Sequence, residues 1–337
     1  MIRLSLRYSL SRIPVLSHIH KTQQLIQQST KNRASYFKNK TKSSSFTTLQ
    51  QQQQTRTFAT RQIKSRHPAS PSNSTLTNLF IRPAIFTTLV VTGSFGLTTL
   101  IDGMDYKLPY WAVDMNERTS YLWPVVAPVI LGNVAIFLFW QRRSVPKFFD
   151  RHFVNRQNIP SLFALVGSAF SQKDFMHLAT NMLAFYGFAR SIVETEGPGD
   201  TISIYLTCAV VSSWLAGVAG ALHPAFRIVR IGSLGASGAV IGIISYSVLS
   251  RPDMKLSLDF LPGNMSSISA ASMLYGLVLV DCLGLVFGWK RMGHACHLAG
   301  AVTGAGFYYG GLDFMQHYKK WIRTQMDSFG VLKVKER

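Results

Sequence analysis

The chain has 337 residues, with 35 Lys and Arg against 15 Asp and Glu and a net charge of +20. Yet 47% of it is apolar, only 15% is charged, and its mean hydropathy is positive at +0.15. A nucleic-acid binder of this charge would spread its basic residues throughout and would rarely be so apolar. Here residues 1–78 hold 13 Lys and Arg and no carboxylate, the first acid is Asp102, and the remaining 259 residues carry 22 basic and 15 acidic groups. A basic leader is joined to a hydrophobic body, which argues against nucleic acid as a partner.

The leader comes first in the chain. Residues 1–66 are rich in Arg, Lys, Ser, Thr and Gln. Met1–Ile19 sets Leu4, Leu6, Leu10, Ile13 and Leu16 among Arg3, Arg7 and Arg12. This amphipathic, acid-free pattern predicts a mitochondrial transit peptide, and a secretory signal would need an unbroken apolar stretch that is absent here. Arg56-Thr57-Phe58-Ala59 resembles the Arg-x-aromatic-small site cut by the matrix processing peptidase, which becomes the expected maturation partner and sets the transit peptide at 1–58. The other readings of the leader are a disordered basic tail or a polybasic stretch on an anionic membrane. A matrix-side linker is expected over 59–83, since His67–Asn78 is rich in Pro, Ser and Asn.

A hydrocarbon core of roughly 30 Å takes about 20 mostly apolar residues per helix. Seven segments approach that length: 84–101, 121–140, 175–193, 201–222, 233–250, 267–289 and 295–311. Several carry Ser, Thr, Gly, His and Asn, and polar groups inside a span face the bundle interior or a wet cavity. Gly217, Gly220, Gly235, Gly238, Gly300 and Gly304 would let backbones approach closely, with Gly300 and Gly304 one turn apart. The prediction is an all-α polytopic membrane protein, with 102–120 a loop and 312–337 a tail. Basic loops after the second and fourth spans alternate with acidic ones after the first and third. The positive-inside rule then puts the basic loops and the leader in the matrix and the C-terminus in the intermembrane space. The tail breaks that pattern with six basic and three acidic residues.

The three cysteines, Cys208, Cys282 and Cys296, are odd in number, lie in apolar segments and form no CxxC pair, so buried free thiols are expected. No repeat of 20–50 residues points to a solenoid or propeller.

Polar residues within or beside the spans form a short set: His177, Asn181, Ser237, Asp281, His294 and His297. Ser237 lies in Gly235-Ala236-Ser237-Gly238 at a span start, with glycines that admit another backbone to the hydroxyl. Its second glycine follows directly, so this is not the Gly-x-Ser-x-Gly elbow of an α/β-hydrolase. A serine needs a base to become a nucleophile. His297 lies within a turn of the start of the last span, on the same membrane face, because an even number of crossings separates the two helix starts. His177 and Asn181 are spaced i, i+4 and so share a helix face; they begin a third span on that face and could donate to an oxyanion. Taken singly, a GASG tetrapeptide is more often a packing contact and an intramembrane His a satisfied polar group. Their joint placement is what carries weight.

GASG, the downstream His294-x-x-His297-x-x-Gly300 and the upstream His177-x-x-x-Asn181 together resemble the rhomboid family of intramembrane serine proteases. The six spans over 121–311 resemble its catalytic core, with the serine in the fourth and the histidine in the sixth. The added span at 84–101, the leader and Gly288-Trp289-Lys290 resemble the mitochondrial presenilin-associated rhomboid-like branch. The resemblance implies a 1+6 helix arrangement and a multi-pass protein of the mitochondrial inner membrane, in contact with inner-membrane lipid. It implies Ser237 as nucleophile, His297 as general base, and an oxyanion hole of His177, Asn181 and the Ser237 backbone N–H, with Gly235, Gly238 and Gly300 supporting the site. Single-pass membrane proteins are the implied substrates, including a dynamin-like fusion GTPase and precursors with cleavable anchors, and no cofactor is implied.

Two positions depart from many bacterial members. Ile241 replaces an aromatic that stacks on the histidine, and 141–173 holds no Trp-Arg pair. Another group must then orient His297. Asp281 is the one acid deep in a span; it either tunes the Ser–His pair or sits in a structural polar pair. No HExxH occurs and no carboxylate completes a ligand set around His294, Cys296 and His297, so no metal is expected. Two rival readings differ in class: a catalytically inactive relative that binds membrane helices, disfavoured by the intact Ser237 and His297, and a transporter, which would show inverted repeats that are not visible here.

Overall fold

The computed structural model describes residues 77–103, 123–142, 144–156, 161–172, 174–222, 233–257, 267–289 and 293–329. The transit peptide expected at 1–58 lies outside the described residues, as do most of the 59–83 linker and the 102–120 loop. The described parts are almost entirely helical. Helix α1 spans Arg82–Gly103, entered through a π-turn at Thr77–Ile81, and α2 spans Trp123–Trp140. Two short helices follow, α3 (Lys147–His152) and α4 (Ala164–Gly167), the latter running into a 3-10 turn at Ser168–Phe170. Then come α5 (Phe175–Glu196), α6 (Pro198–Leu222) and α7 (Ser237–Ser250). Strands β1 (Lys255–Ser257) and β2 (Ser267–Ser269) pair antiparallel, Leu256 opposite Ile268. Helices α8 (Ala270–Val286), α9 (His294–Gly306) and α10 (Leu312–Ser328) complete the order.

Each of the seven expected spans contains a helix. The ends differ for local reasons. Residues 233–236 are not helical because Gly235 takes φ +142°, a conformation that breaks a helix and favours glycine. Residues 267–269 belong to β2, and 307–311 form a π-turn whose Gly310, at φ +141°, kinks the chain into α10. The stretch 312–328, expected as part of a tail, is this amphipathic helix.

By length and composition, two helical stretches among the described residues could cross a membrane, Thr77–Leu100 and Pro198–Gly220. Val125–Trp140, Ser237–Ser250 and Ala270–Val286 are apolar but shorter. Helix α5 is long enough but carries His177, Asn181, Arg190, Glu194 and Glu196. Apolar side chains nevertheless face outward as well as inward, and polar groups are buried among the apolar core. Leu131, Leu138, Leu183, Leu279, Val286 and Val302 point outward, while Thr98, Asn133, Ser203, Ser245, Ser247 and Asp281 are buried. Outward leucine and valine over several helices, with hydroxyls, amides and a carboxylate inside, suits a solvent of lipid tails. This almost entirely helical architecture fits a helical polytopic membrane fold.

Helix α7 is the hub, with eleven of its residues, Gly238–Val248, buried. It runs parallel to α9, because Gly238 meets Gly300 and Gly242 meets Gly304. A Cβ on Gly300 would overlap the Gly238 carbonyl oxygen, and one on Gly304 that of Gly242, so four glycines set the separation of the two backbones. Ser245 Oγ donates to Ala301 O at 2.9 Å, and Ser247 Oγ to Phe188 O of α5 at 3.1 Å. Between α7 and α9, bare glycine and hydroxyl-to-carbonyl bonds bring the backbones together beside a core of large apolar side chains that includes Phe185, Ile192, Ile204 and Ile243. Helix α1 lies antiparallel on α6: Trp214 Nε1 donates to Leu79 O at 3.1 Å, Thr98 and Ser203 hydroxyls meet at 2.7 Å, and Gly199 N donates to Asp102 Oδ1 at 3.2 Å.

Candidate active site

Three helix beginnings meet at one end of the bundle. Ser237 is the first residue of α7. The segment before it is held from the other side: Asn155 and Ser233 exchange backbone hydrogen bonds of 2.9 and 2.8 Å, and Gly235 N donates to Ser168 O at 2.9 Å. His297 sits in the first turn of α9, its backbone N–H bonded to Gly293 O at 3.0 Å. His177 sits in the first turn of α5, where the Asp174 side chain caps the helix by accepting from His177 N at 2.9 Å.

Ser237 Oγ and His297 Nε2 are 2.8 Å apart. On the far edge of the same imidazole, His297 Nδ1 lies 3.0 and 3.1 Å from the two carboxylate oxygens of Asp281, in the middle of α8. Asp281 is 2% exposed and His297 8%. An ionised carboxylate only accepts hydrogen bonds, so Nδ1–H donates to it and Nε2 is left to accept from the serine hydroxyl. That is the protonation pattern in which imidazole serves as a general base toward serine.

The same Asp281 accepts a second hydrogen bond, from His294 Nδ1 at 2.7 Å. His294 is buried, with its ring over Gly284 and its edge toward Trp289, ring centroids 6.0 Å apart.

His177 reaches the same place. A Cβ on Gly235 would stand 2.7 Å from His177 Cε1 and 3.5 Å from Ser237 Oγ. Glycine is thus required there twice, for its positive φ and to admit the imidazole beside the serine. Asn181 lies one turn further along α5, buried, and its Nδ2 donates to Gln172 Oε1 at 3.0 Å. Gln172 Nε2 donates in turn to Asn133 Oδ1 at 2.7 Å, and Asn133 Nδ2 to Val129 O at 2.9 Å. This buried amide chain fixes which end of the Asn181 amide is the donor. Gly238 of α7 is lined by Ser212 and Cys296, and a Cβ there would overlap the Ser212 hydroxyl.

The structure therefore brings Ser237, His297, Asp281, His177 and the three glycines Gly235, Gly238 and Gly300 into one constellation, with Asn181 on the same helix as His177. The bond between Asp281 and His294, and the parts taken by Gln172, Asn133, Gly242 and Gly284, emerge only in the folded chain. Gly242 does have a sequence signal, since it repeats Gly238 at i+4 as Gly304 repeats Gly300. The Gln172–Asn133 pairing joins residues 39 positions apart and leaves no local signal. Among the described residues, no group of three or more His, Cys, Asp or Glu is arranged to hold a metal ion.

Residues 160–314 match the rhomboid domain family, a stretch that contains Ser237, His297, Asp281, His294, His177 and Asn181. The chain is 30% identical to the human presenilin-associated rhomboid-like protein, mitochondrial, over 215 residues, covering 60% of this chain and 54% of that protein. It is 30% identical over 184 residues to rhomboid protein 1, mitochondrial, of Saccharomyces cerevisiae, covering 52% and 50%. Against RHOMBOID-like protein 12, mitochondrial, of Arabidopsis thaliana it is 27% identical over 214 residues, covering 58% and 59%. The chain thus spans about half the length of the curated relatives it matches. Residues 160–314 are thus similar to a rhomboid domain, and the relatives they resemble are mitochondrial rhomboids, the presenilin-associated rhomboid-like protein among them.

Proposed function

We propose that the chain is an intramembrane serine endopeptidase of the mitochondrial inner membrane that cuts single-pass membrane segments. The observation that carries this reading is the 2.8 Å contact of Ser237 Oγ with His297 Nε2, backed by Asp281 on Nδ1. In the acylation step Ser237 Oγ attacks the scissile carbonyl carbon and its proton passes to His297 Nε2. The carbonyl oxygen becomes an oxyanion held by the Ser237 backbone N–H, His177 and the second N–H of Asn181 Nδ2, since a primary amide nitrogen carries two. Collapse breaks the C–N bond, and the imidazolium returns its proton to the departing amine. Water, deprotonated by His297, then hydrolyses the acyl-serine and restores the hydroxyl. No metal or cofactor enters these steps. Asp281 orients the imidazole and stabilises its charged form, the part left open by Ile241.

On this reading α2 and α5–α9 form the six-helix core and α1 is the added helix. The shortness of α7 supports a recessed site. Its 14 residues rise about 21 Å at 1.5 Å per residue, short of a hydrocarbon core of roughly 30 Å. With its C-terminus near one face, Ser237 at its N-terminus lies below the other, in a cavity where water can reach it. A substrate helix must unwind there, because an extended strand exposes its carbonyl carbon and its freed backbone groups need water or protein partners. Similarity to the mitochondrial branch favours inner-membrane substrates such as a dynamin-like fusion GTPase and anchored precursors, with the matrix processing peptidase acting on the leader.

The test is cleavage of a fluorogenic single-pass substrate by the chain in liposomes, compared with Ser237→Ala and His297→Ala. The expected result is turnover that falls by roughly 10³-fold or more in each variant. Equal turnover in wild type and Ser237→Ala removes the serine as nucleophile. No turnover in any of them, with a substrate that other rhomboids cut, puts the inactive helix-binding relative first.

A further inference from the structure

Resting on the protease reading, we infer that His294 is a positioning residue for the reaction: it holds the Asp281 carboxylate against His297, extending the Ser237–His297–Asp281 line by a fourth member. The geometry is specific. Asp281 Oδ1 lies 2.7 Å from His294 Nδ1 and 3.0 Å from His297 Nδ1, so one oxygen takes a bond from each imidazole while Oδ2 faces His297 alone, at 3.1 Å. The shorter bond is the one to His294. A carboxylate 2% exposed requires donors, and these two imidazoles are the ones within reach among the described residues.

The surroundings of His294 are built for that single contact. The ring is 2% exposed and lies against the bare face of Gly284, three residues beyond Asp281 on α8; a Cβ there would overlap the imidazole. The Trp289 ring closes its edge. Its other nitrogen, Nε2, is buried and meets no hydrogen-bonding partner among the described residues. Burying a ring nitrogen without a partner is costly, and an apolar residue would fill the same space between α8 and α9 without that cost. What an apolar residue cannot supply is the N–H toward Asp281. His294 and His297 are one turn apart on α9, so both imidazoles reach across to the same residue of α8.

The mechanistic consequence follows from the charge that develops on His297. When His297 takes the serine proton, the imidazolium is stabilised only if the carboxylate stays in line with Nδ1. With His294 absent, Asp281 is free to rotate about its side-chain torsions, and the carboxylate loses its alignment at the moment it is needed. His294 thus acts through Asp281, which predicts effects on kcat with KM little changed, and effects that vanish once Asp281 is gone.

The experiment measures kcat and KM in liposomes for wild type, His294→Leu, His294→Asn, Asp281→Asn and the double variant His294→Leu/Asp281→Asn, with thermal unfolding of each. Asparagine places its amide N–H where imidazole Nδ1 stood, whereas leucine fills the space with no donor. The expected result is a fall in kcat of about tenfold or more in His294→Leu with KM within about twofold, and retention of at least about a third of wild-type kcat in His294→Asn. In the double variant, kcat should equal that of Asp281→Asn alone. Losses that multiply in the double variant, or an asparagine variant as impaired as leucine, overturn the inference and leave His294 a packing residue. So does a leucine variant of wild-type kcat. A wild type whose turnover survives Ser237→Ala overturns the protease reading itself, and the inference with it.

Discussion

At the scale of single residues the site follows from which polar groups the bundle buries and how each is satisfied. Ser237, His297 and Asp281 come from three different helices, and each bond between them connects positions far apart in the chain. Asp281→Asn keeps the shape but presents an amide, whose N–H faces the His297 Nδ1–H or forces the imidazole into its other tautomer. We predict that kcat falls by roughly 10²-fold or more with KM little changed, read in the liposome assay. On the proposed mechanism His177→Ala and Asn181→Ala each remove an oxyanion donor, and each should lower kcat by about 10²–10³-fold. The serine, both site histidines and Asn181 were legible in the sequence because each is a polar residue at the start of an apolar, glycine-bearing segment. The partner of Asp281 was not. Its distance from either histidine depends on how α8 packs on α9, and no spacing rule covers two helices joined by a turn.

At the scale of elements, glycine sets the distances. Gly238 and Gly242 of α7 face Gly300 and Gly304 of α9, and Cys208 of α6 closes on Gly242 from a third side. Gly242→Val has no space to enter: its Cβ would overlap Cys208 Sγ and stand 3.1 Å from Gly300 O. Overpacking of this kind costs about 1–3 kcal/mol or more. We expect the melting temperature in detergent to fall by about 5 °C or more, with a larger proportional loss of turnover because the Ser237–His297 separation depends on this packing. Gly93→Ala, on the outer face of α1 with nothing within 4 Å of its Cβ, should leave both measurements near wild type. The helices themselves were readable from runs of apolar residues, and each of the seven expected segments contains a helix among the described residues. Their ends were less so. The positive φ of Gly235 and the β1–β2 pairing shorten α7 and α8, and neither interrupts the apolar pattern that was being read.

At the scale of the whole molecule, one buried ion cluster ties the two ends of the described chain to its middle. Lys319 of α10 is 1% exposed and bonds Asp200 of α6 at 2.5 Å and Asp102 of α1 at 2.9 Å. Gln316 also bonds Asp200, and Arg323 stands 3.8 Å from Asp102. Apolar contacts reinforce the junction, with Tyr318 edge-on to Phe95 and Ile322 against Gly96. Removing one partner of a buried pair strands the others, at a cost of about 3–5 kcal/mol. Lys319→Met should therefore loosen α10 and make 312–328 a preferred site of limited proteolysis, while Lys319→Met/Asp200→Asn recovers part of the protection. Composition alone marked this region as a tail with six basic residues. The lysine that matters is charged yet wholly inside, which a count of charges cannot reveal.

The reading of function rests on a nucleophilic Ser237 activated by His297. The measurement to make is the site of covalent attachment of a fluorophosphonate, mapped by mass spectrometry on the folded chain in liposomes. An adduct on Ser237 that forms in wild type, slows by about 10²-fold or more in His297→Ala and is absent in heat-unfolded protein is the predicted result. An adduct that spares Ser237, or labels it equally fast without His297, would contradict the assignment of an activated serine and with it the protease.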